Sequence, residues 1–178
     1  MTEKKDVYET AKSEMRLSER LVAELPGFRG YKEKELRRES DRLIRNHLYL
    51  KLSKAKTDLR EIFQTITARR MFDAMSTMDK VVAKMDRVVE KVNHASYGYS
   101  GFFDVVKIKE DNLDRMIEFD NELVDDVEKI AEEIRNFKSE VLAQKFDNAR
   151  NNIQTLDETL DTFEEAFDKR EEVILGAT

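Results

Sequence analysis

Carboxylates stand close together in one part of the chain, where they could hold a metal ion or take part in acid–base chemistry. They are Glu110, Asp111, Asp114, Glu118, Asp120, Glu122, Asp125 and Asp126. Di-iron sites in helical bundles combine such groups with a Glu-x-x-His pair that directs both ligands inward. Neither histidine fits, because Ile44 stands three residues before His47 and Lys91 three before His94. Most of the carboxylates also fall off the apolar face of their helix, so we predict no metal site.

Other catalytic motifs are missing from the sequence. There is no cysteine, which excludes disulfides, thiolate zinc sites and cysteine nucleophiles. We find no glycine-rich phosphate loop, no nucleophile elbow and no His-Glu-x-x-His motif. His47 falls on an apolar helix face, where a core or boundary histidine is the expected interpretation. We therefore predict no catalytic residues and no cofactor, and an enzyme site assembled from distant residues is the alternative.

A basic segment covers residues 27–45, and Arg38, Arg42 and Arg45 fall on one ridge of its predicted helix. Asp41 stands four residues before Arg45 and can pair with it across one turn. One interpretation is a salt-bridged face, or a seam against acidic helices. The other is an anion-binding ridge for phosphate, lipid headgroups or an acidic partner. Nucleic acid is not an expected partner, because the chain carries a net charge of −6 and no aromatic residues are interleaved along the ridge.

An aromatic segment surrounds two glycines further along the chain. Its rings are Tyr97, Tyr99, Phe102 and Phe103. Gly98 and Gly101 interrupt the helical pattern there. The rings can fold back and cap the end of a bundle, since four buried rings remove a large apolar area from water. Alternatively, they form an exposed patch that binds a partner or a bilayer surface.

Charge is distributed unevenly along the chain. Residues 29–60 hold 11 Lys and Arg against 5 Asp and Glu, whereas residues 110–172 hold 8 against 21. This polarity can steer a partner toward the protein. It can equally reflect pairing between helices that lie side by side in the fold.

The composition is typical of long helices, with 39% charged residues, 5 glycines and 1 proline. Apolar residues at three- and four-residue spacings predict a helix over about residues 5–25, which Pro26 ends. A second predicted helix extends from Tyr31 to Val92. Its apolar phase slips around residues 68–71, which indicates a stutter or a local bend.

Two more predicted helices follow the aromatic segment. The first begins near Glu110 and ends near Phe137, with the hairpin turn at Lys138 and Ser139 and with 147–152 as the alternative break. The last carries a strict heptad seam, which is the strongest periodic signal in the chain. Its members are Leu142, Phe146, Ala149, Ile153, Leu156, Leu160, Phe163 and Phe167.

These lengths predict an all-α protein of long antiparallel helices. Residues 1–178 form a single helical domain, in which 61–175 are a three-helix, spectrin-like bundle and 5–60 a projecting N-terminal helical hairpin. A four-helix bundle with the second helix broken near residue 68 is the alternative. The polar start and the lack of a run of about 20 apolar residues predict a cytoplasmic protein without a membrane span.

Two segments carry a family resemblance: GFRGYKEKELRRESDRLIR and SYGYSGFFDVVKIKEDNLDRMIEFD. The chain resembles an uncharacterised family of prokaryotic helical proteins. In that family a Gly-x-x-Gly-Tyr-Lys-Glu turn opens an Arg-rich helix, and a Tyr-Gly-Tyr-Ser-Gly-Phe-Phe-Asp loop precedes an acidic helix. The matching positions are Gly27, Gly30, Tyr31, Arg38, Tyr97, Gly98, Tyr99, Gly101, Phe102, Phe103 and Asp104. The resemblance implies a helical fold and assigns no activity.

Heptads and charge-sorted helices favour a non-catalytic protein–protein interaction or scaffold protein, which could act as a homodimer. The alternative is a peripheral membrane-associated protein that binds anionic lipid through the basic ridge at 29–45 and the aromatic segment at 97–103. The candidate interaction residues are Arg29, Tyr31, Arg38, Arg42, Arg45, Tyr97, Tyr99, Phe102 and Phe103.

Overall fold

The computed structural model describes the backbone of residues 34–95 and 110–175, and the side chains of residues 43–95 and 119–170. Within these residues the secondary structure is entirely helical. The elements are α1 (Lys34–Ala68), α2 (Phe72–His94), α3 (Glu110–Leu142) and α4 (Ala149–Leu175). The prediction of an all-α protein is thus confirmed for the described part of the chain.

The four helices form a bundle in which each has two main neighbours. Helix α1 lies beside α2 and α3, and α4 lies beside α3 and α2, so α1 and α4 occupy opposite corners. Ion pairs give the directions. Lys51 pairs with Glu128, and Asp58 with Lys138, so α1 and α3 run parallel. The bundle therefore consists of two antiparallel hairpins, α1–α2 and α3–α4, packed side by side.

One apolar core runs along the bundle, and the helical stripes read from the sequence supply it. All buried apolar side chains of the described residues belong to a single cluster. Helix α1 contributes its stripe from Ile44 to Ile66, α2 contributes Met78 and Met85, and α4 contributes the heptad seam from Ala149 to Phe167. Each fully buried Leu or Phe removes enough apolar area from water to contribute roughly 1.5–3 kcal/mol.

The chain reverses between α1 and α2 over three residues. Arg70 has a positive φ of 56°. Its N–H donates to the carbonyl of Thr67, and the next N–H, of Met71, donates to the carbonyl of Ile66. These two bonds, closed by a left-handed residue, are a Schellman motif, which satisfies carbonyls that the helix end would otherwise leave without donors.

The reversal between α3 and α4 uses the same motif. Gln144 has a φ of 59°. Its N–H donates to the carbonyl of Val141, and the N–H of Lys145 donates to that of Glu140. In both turns a Phe-Asp pair follows the left-handed residue by two positions, as Phe72–Asp73 and Phe146–Asp147. Because both hairpins turn at the same end of the bundle, these two pairs lie close together.

The continuous helix predicted from Tyr31 to Val92 is wrong, because the slip at residues 68–71 is a full reversal of the chain. The three-helix bundle with a projecting hairpin is accordingly not confirmed. The part of residues 5–60 that the structure describes, from Lys34 onward, packs into the bundle, and the predicted helix at 5–25 lies outside the described residues. The arrangement is closer to the alternative, a bundle of four helices broken near residue 68. In this arrangement α1 and α2, the two halves of the predicted long helix, pack against each other and against α3 and α4.

The hairpin predicted at Lys138 and Ser139 is also wrong. Lys138 pairs with Asp58 and Glu61 of α1, which holds it inside α3, and the chain turns at residues 143–148 instead. The alternative break at 147–152 overlaps this turn. The first two positions of the heptad seam fall outside α4, and Leu142 is 74% exposed at the end of α3.

Glycine should suit both left-handed positions better than the residues present. Gln144→Gly and Arg70→Gly are each expected to raise the free energy of unfolding by about 0.5–1 kcal/mol, because a side chain with a Cβ is strained at positive φ. Chemical denaturation followed by circular dichroism measures the change. The control is Ala143→Gly, at a position with negative φ, which should lower stability by a similar amount. If Gln144→Gly destabilises as much as the control does, the left-handed turn is not formed in solution.

Candidate functional site

The structure describes few of the candidate interaction residues. Those outside the described residues are Arg29, Tyr31, Tyr97, Tyr99, Phe102 and Phe103. Arg38 and Arg42 lie on α1, but their side chains are not among those described. Arg45 is only 8% exposed. It therefore offers little surface to a partner, and the anion-binding ridge stays a prediction for the rest of its residues.

A buried ion pair crosses the lower half of the bundle, the half opposite the two turns. The Nε of Arg170 on α4 donates to Asp120 Oδ1 on α3 at 2.8 Å, and Nη2 donates to Oδ2 at 3.3 Å. Both side chains are fully buried. Arg45 and Asn121 are buried too, within about one helical turn of this level. Removing one partner from a buried pair typically costs about 3–5 kcal/mol, since it leaves the other charge uncompensated.

The pair reinforces the alignment of α3 against α4 that the short turn at residues 143–148 sets. A two-bond contact inside the core is satisfied in one register only, whereas apolar seams tolerate more than one. The sequence showed Asp120 as one carboxylate among eight, and the expectation that most of them face water does not hold for it. A basic residue that keeps the apolar spacing of its helix, as Arg170 does three positions after Phe167, was the available signal.

Charged residues join α2 to α4 along one outer seam. The pairs are Lys84 with Asp157 and Asp161, Arg87 with Glu164, and Lys91 with Glu164 and Asp168. The hydrogen bond from Arg87, helped by Lys91, lowers the pKa of Glu164 although burial acts against it. The charge complementarity expected between neighbouring helices is thus present, but its cations on this seam come from α2 rather than from residues 29–60.

Glu133 is a half-buried carboxylate on α3 that faces α4. Its Oε1 accepts a hydrogen bond from Thr159 Oγ1 at 3.2 Å, whereas its Oε2 is buried without a hydrogen-bond partner among the described residues. Thr159 Oγ1 also lies 2.9 Å from the carbonyl oxygen of Thr155, so its one hydroxyl proton is shared between two acceptors. Burial raises the pKa of Glu133, and the bond from Thr159 offsets this only in part. A protonated Glu133 could donate to Thr159 and leave that hydroxyl to the carbonyl.

The end of the bundle that holds both turns has exposed apolar side chains. Phe72 is 73% exposed and Leu142 is 74% exposed. Among the described residues, the only other large apolar side chain this exposed is Leu50, at 58%, in the middle of α1. Arg69, Arg70 and Lys145 are exposed beside them. We call Arg69, Arg70, Phe72, Leu142 and Lys145 the turn-end surface.

A groove with a volume of about 480 Å³ lies between the start of α2 and the start of α4. Its apolar lining consists of Met71, Phe72, Ala74, Phe146 and Ala149. The two alanines are buried, and each side chain is a single methyl group. The guanidinium of Arg69 lies 4.6 Å from the centre of the Phe146 ring, so a cation–π contact joins the two turns. We call this cavity the turn-end groove.

Charged side chains border the groove. Arg70 and Arg150 line it together with Asp73 and Asp147. Within the described residues, no carboxylate forms an ion pair with Arg69, Arg70, Lys145 or Arg150, whereas the cations of the α2–α4 seam are all paired. The two turns, residues 67–73 and 142–150, hold four cations and two carboxylates, so they are positive on a chain of net charge −6.

Sequence reasoning did not identify the turn-end surface. The Phe-Asp pairs at 72–73 and 146–147 were not a usable signal, because the same dipeptide also stands at 103–104, 119–120 and 167–168, and the last two lie inside α3 and α4. Their proximity depends on both hairpins turning at the same end, and a continuous second helix would have placed Phe72 in the middle of a helix. The error in the helix boundary therefore concealed the surface.

Comparisons with protein-family models, with curated proteins and with solved structures found no match for this chain. Within the described residues, no cluster of three or more His, Cys, Asp or Glu side chains could hold a metal ion. None of the described helices is long and apolar enough to cross a membrane.

Glu133 should give the bundle a pH dependence of known sign. Burial raises the pKa of Glu133 in the folded state. Ionisation of Glu133 therefore lowers the free energy of unfolding as the pH rises through this raised pKa. Below the ordinary glutamate pKa of about 4.3 the group is protonated in both states, and this loss of stability is absent. Glu133→Gln should therefore stabilise the bundle at pH 7 relative to wild type, and the gain should vanish near pH 4.

Thermal unfolding at several pH values measures this difference. The matched control is Glu132→Gln, which removes the same charge from the exposed neighbouring position. A gain of equal size in both variants would show that the general reduction of negative charge, rather than the burial of Glu133, causes it.

Proposed function

We propose that this protein is a non-catalytic interaction or scaffold protein that binds a protein partner through its turn-end surface. The observation that carries the proposal is the exposure of Phe72 and Leu142 at one end of a bundle whose other large apolar side chains, Leu50 apart, are buried or partly buried in the described region. Burying a Phe or Leu side chain contributes roughly 1.5–3 kcal/mol, and such anchors dominate binding at protein interfaces.

The buried polar groups of the described residues fit a structural role. Asp120 and Arg170 bind each other inside the core, and Glu133 contacts Thr159 between two packed helices. Neither group lines the turn-end groove. The lining of that groove offers apolar packing and charge, and its described residues include no histidine, serine or threonine. These placements support a binding role over catalysis.

We also propose that the protein is cytoplasmic and that its helical seams pack as in coiled coils. A homodimer is compatible with this proposal. The charge supports a protein partner rather than nucleic acid, since α3 and α4 present many carboxylates to solvent. The basic ridge at 29–45 and the aromatic segment at 97–103 remain candidate secondary contacts.

A peripheral membrane protein is the second candidate. Arg69, Arg70 and Lys145, which form no ion pair within the described residues, lie near exposed Phe72 and Leu142. Together they combine the two features that bind anionic bilayers, cations for the headgroups and apolar side chains for the acyl boundary. The same combination at residues 29–45 and 97–103 would add to such binding. Sedimentation with phosphatidylserine vesicles separates this candidate from the first.

The test is affinity capture from lysate of the source cells, with quantitative comparison of wild type, the double variant Phe72→Ser/Leu142→Ser, and the control Leu50→Ser. We expect a protein captured by wild type to be retained by the control and reduced at least tenfold with the double variant. This follows from the loss of two anchors, each contributing roughly 1.5–3 kcal/mol. All three substitutions replace exposed side chains, so the fold should be kept, and circular dichroism verifies it.

The outcomes separate the candidates. Equal capture by wild type and the double variant would contradict a binding role for the turn-end surface. Sedimentation of wild type with anionic vesicles, lost in the double variant and kept in the control, would instead establish the membrane candidate.

A further inference from the structure

We propose that the turn-end groove receives an acidic peptide segment of the partner, with one large apolar side chain inserted between Phe72 and Phe146 and carboxylates placed against the surrounding arginines. This inference rests on the proposed function and specifies the chemistry of the partner. It also assigns a role to residues that the search for catalytic motifs did not reach.

The shape of the groove favours a single inserted side chain. Its apolar lining combines Ala74 and Ala149 with Phe72 and Phe146, and its volume of about 480 Å³ is within the range of sites that hold small ligands. A Leu, Met or Phe side chain entering it would pack against these apolar side chains. Offset or edge-to-face contacts between rings add to the area that such a side chain buries.

The two turns hold four cations against two carboxylates, Asp73 and Asp147, and this net positive charge favours carboxylates beside that anchor. Arg70 lines the groove from the α1–α2 hairpin and Arg150 lines it from the α3–α4 hairpin. Neither forms an ion pair within the described residues. Arg69 and Lys145 extend the positive area beyond the groove. A guanidinium binds a carboxylate through two parallel hydrogen bonds, so four cations can select an acidic segment and orient it.

Other occupants fit less well. A groove that can take a projecting side chain suits a peptide better than the flat surface of a bilayer. The turn-end surface of a second copy carries the same positive charge, so two copies would not associate through this end.

The experiment is selection from a displayed library of random twelve-residue peptides, with the full chain as bait. Enriched peptides are then synthesised with a fluorescent label and titrated by anisotropy against three proteins. These are wild type, the groove variant Arg70→Glu/Arg150→Glu, and the control Lys54→Glu/Lys80→Glu, which changes the same charge at exposed positions on α1 and α2.

We expect enriched peptides to share an apolar residue flanked by Asp or Glu. Their affinity should fall at least tenfold with the groove variant and less than threefold with the control. It should fall likewise with Phe72→Ser, or when the apolar residue of the peptide is replaced by Ser. Raising the salt concentration from 50 to 300 mM should weaken the binding of wild type, because exposed charge pairs are screened.

Three results would overturn the inference. These are enrichment of neutral or basic peptides, equal affinities for wild type and the groove variant, and no enrichment at all. If any of them is found while the captured protein is still lost with Phe72→Ser/Leu142→Ser, the interaction role stands and only the chemistry of the partner is wrong. If the peptide selection fails and, in addition, Phe72→Ser/Leu142→Ser captures the same proteins as wild type, the proposed function is contradicted as well.

Discussion

The two chain reversals at Arg70 and Gln144 determine which residues share an end of the bundle. Each is closed by a Schellman motif in which a residue with a side chain occupies the left-handed region. Because α1 and α3 run parallel, both reversals fall at the same end, and each is followed by a Phe-Asp pair. The turn-end groove, its aromatic walls and its arginines all follow from this arrangement.

Two kinds of electrostatic contact add to the packing, one within the α3–α4 hairpin and one between the two hairpins. Inside the core, Arg170 and Asp120 bind through two hydrogen bonds and reinforce the register of α3 against α4. Outside it, Lys84 and Lys91 on α2 contact carboxylates of α4, where exposed pairs contribute about 0–1 kcal/mol each. The core pair thus limits sliding of the helices, and the outer seam contributes mainly complementarity of charge. Both contacts leave the cations of the turn-end surface available.

Helical content and most of the core were predictable from the sequence, because period and composition report directly on which residues a helix buries. The heptad seam from Ala149 to Phe167 is buried as its spacing predicts. The boundaries were not predictable in the same way. Neither reversal contains glycine or proline, so the signals that normally mark a turn are missing, and the apolar spacing continues across residues 138–148 into the last helix.

The functional surface was hidden for a related reason. Exposure of Phe72 and Leu142 depends on where the helices end, and spacing alone placed Leu142 on the apolar seam of the last helix. Arg45 shows the converse, since a charged residue on a basic ridge is buried in the four-helix bundle. Patterns along a chain identify faces of helices, whereas the contacts at the ends of a bundle depend on its three-dimensional assembly.

The most direct test of the central claim, that the two reversals form one surface, is a cross-linking measurement between them. The chain has no cysteine, so the double variant Asp73→Cys/Asp147→Cys contains only these two thiols. The variant is treated with a short bifunctional maleimide. The control pair is Asp73→Cys with His94→Cys, at opposite ends of α2 and therefore about 30 Å apart at 1.5 Å per residue. We predict rapid intramolecular cross-linking of the first pair and none of the control. Absence of a cross-link in the first pair, with both cysteines labelled by a monofunctional maleimide, would contradict the account.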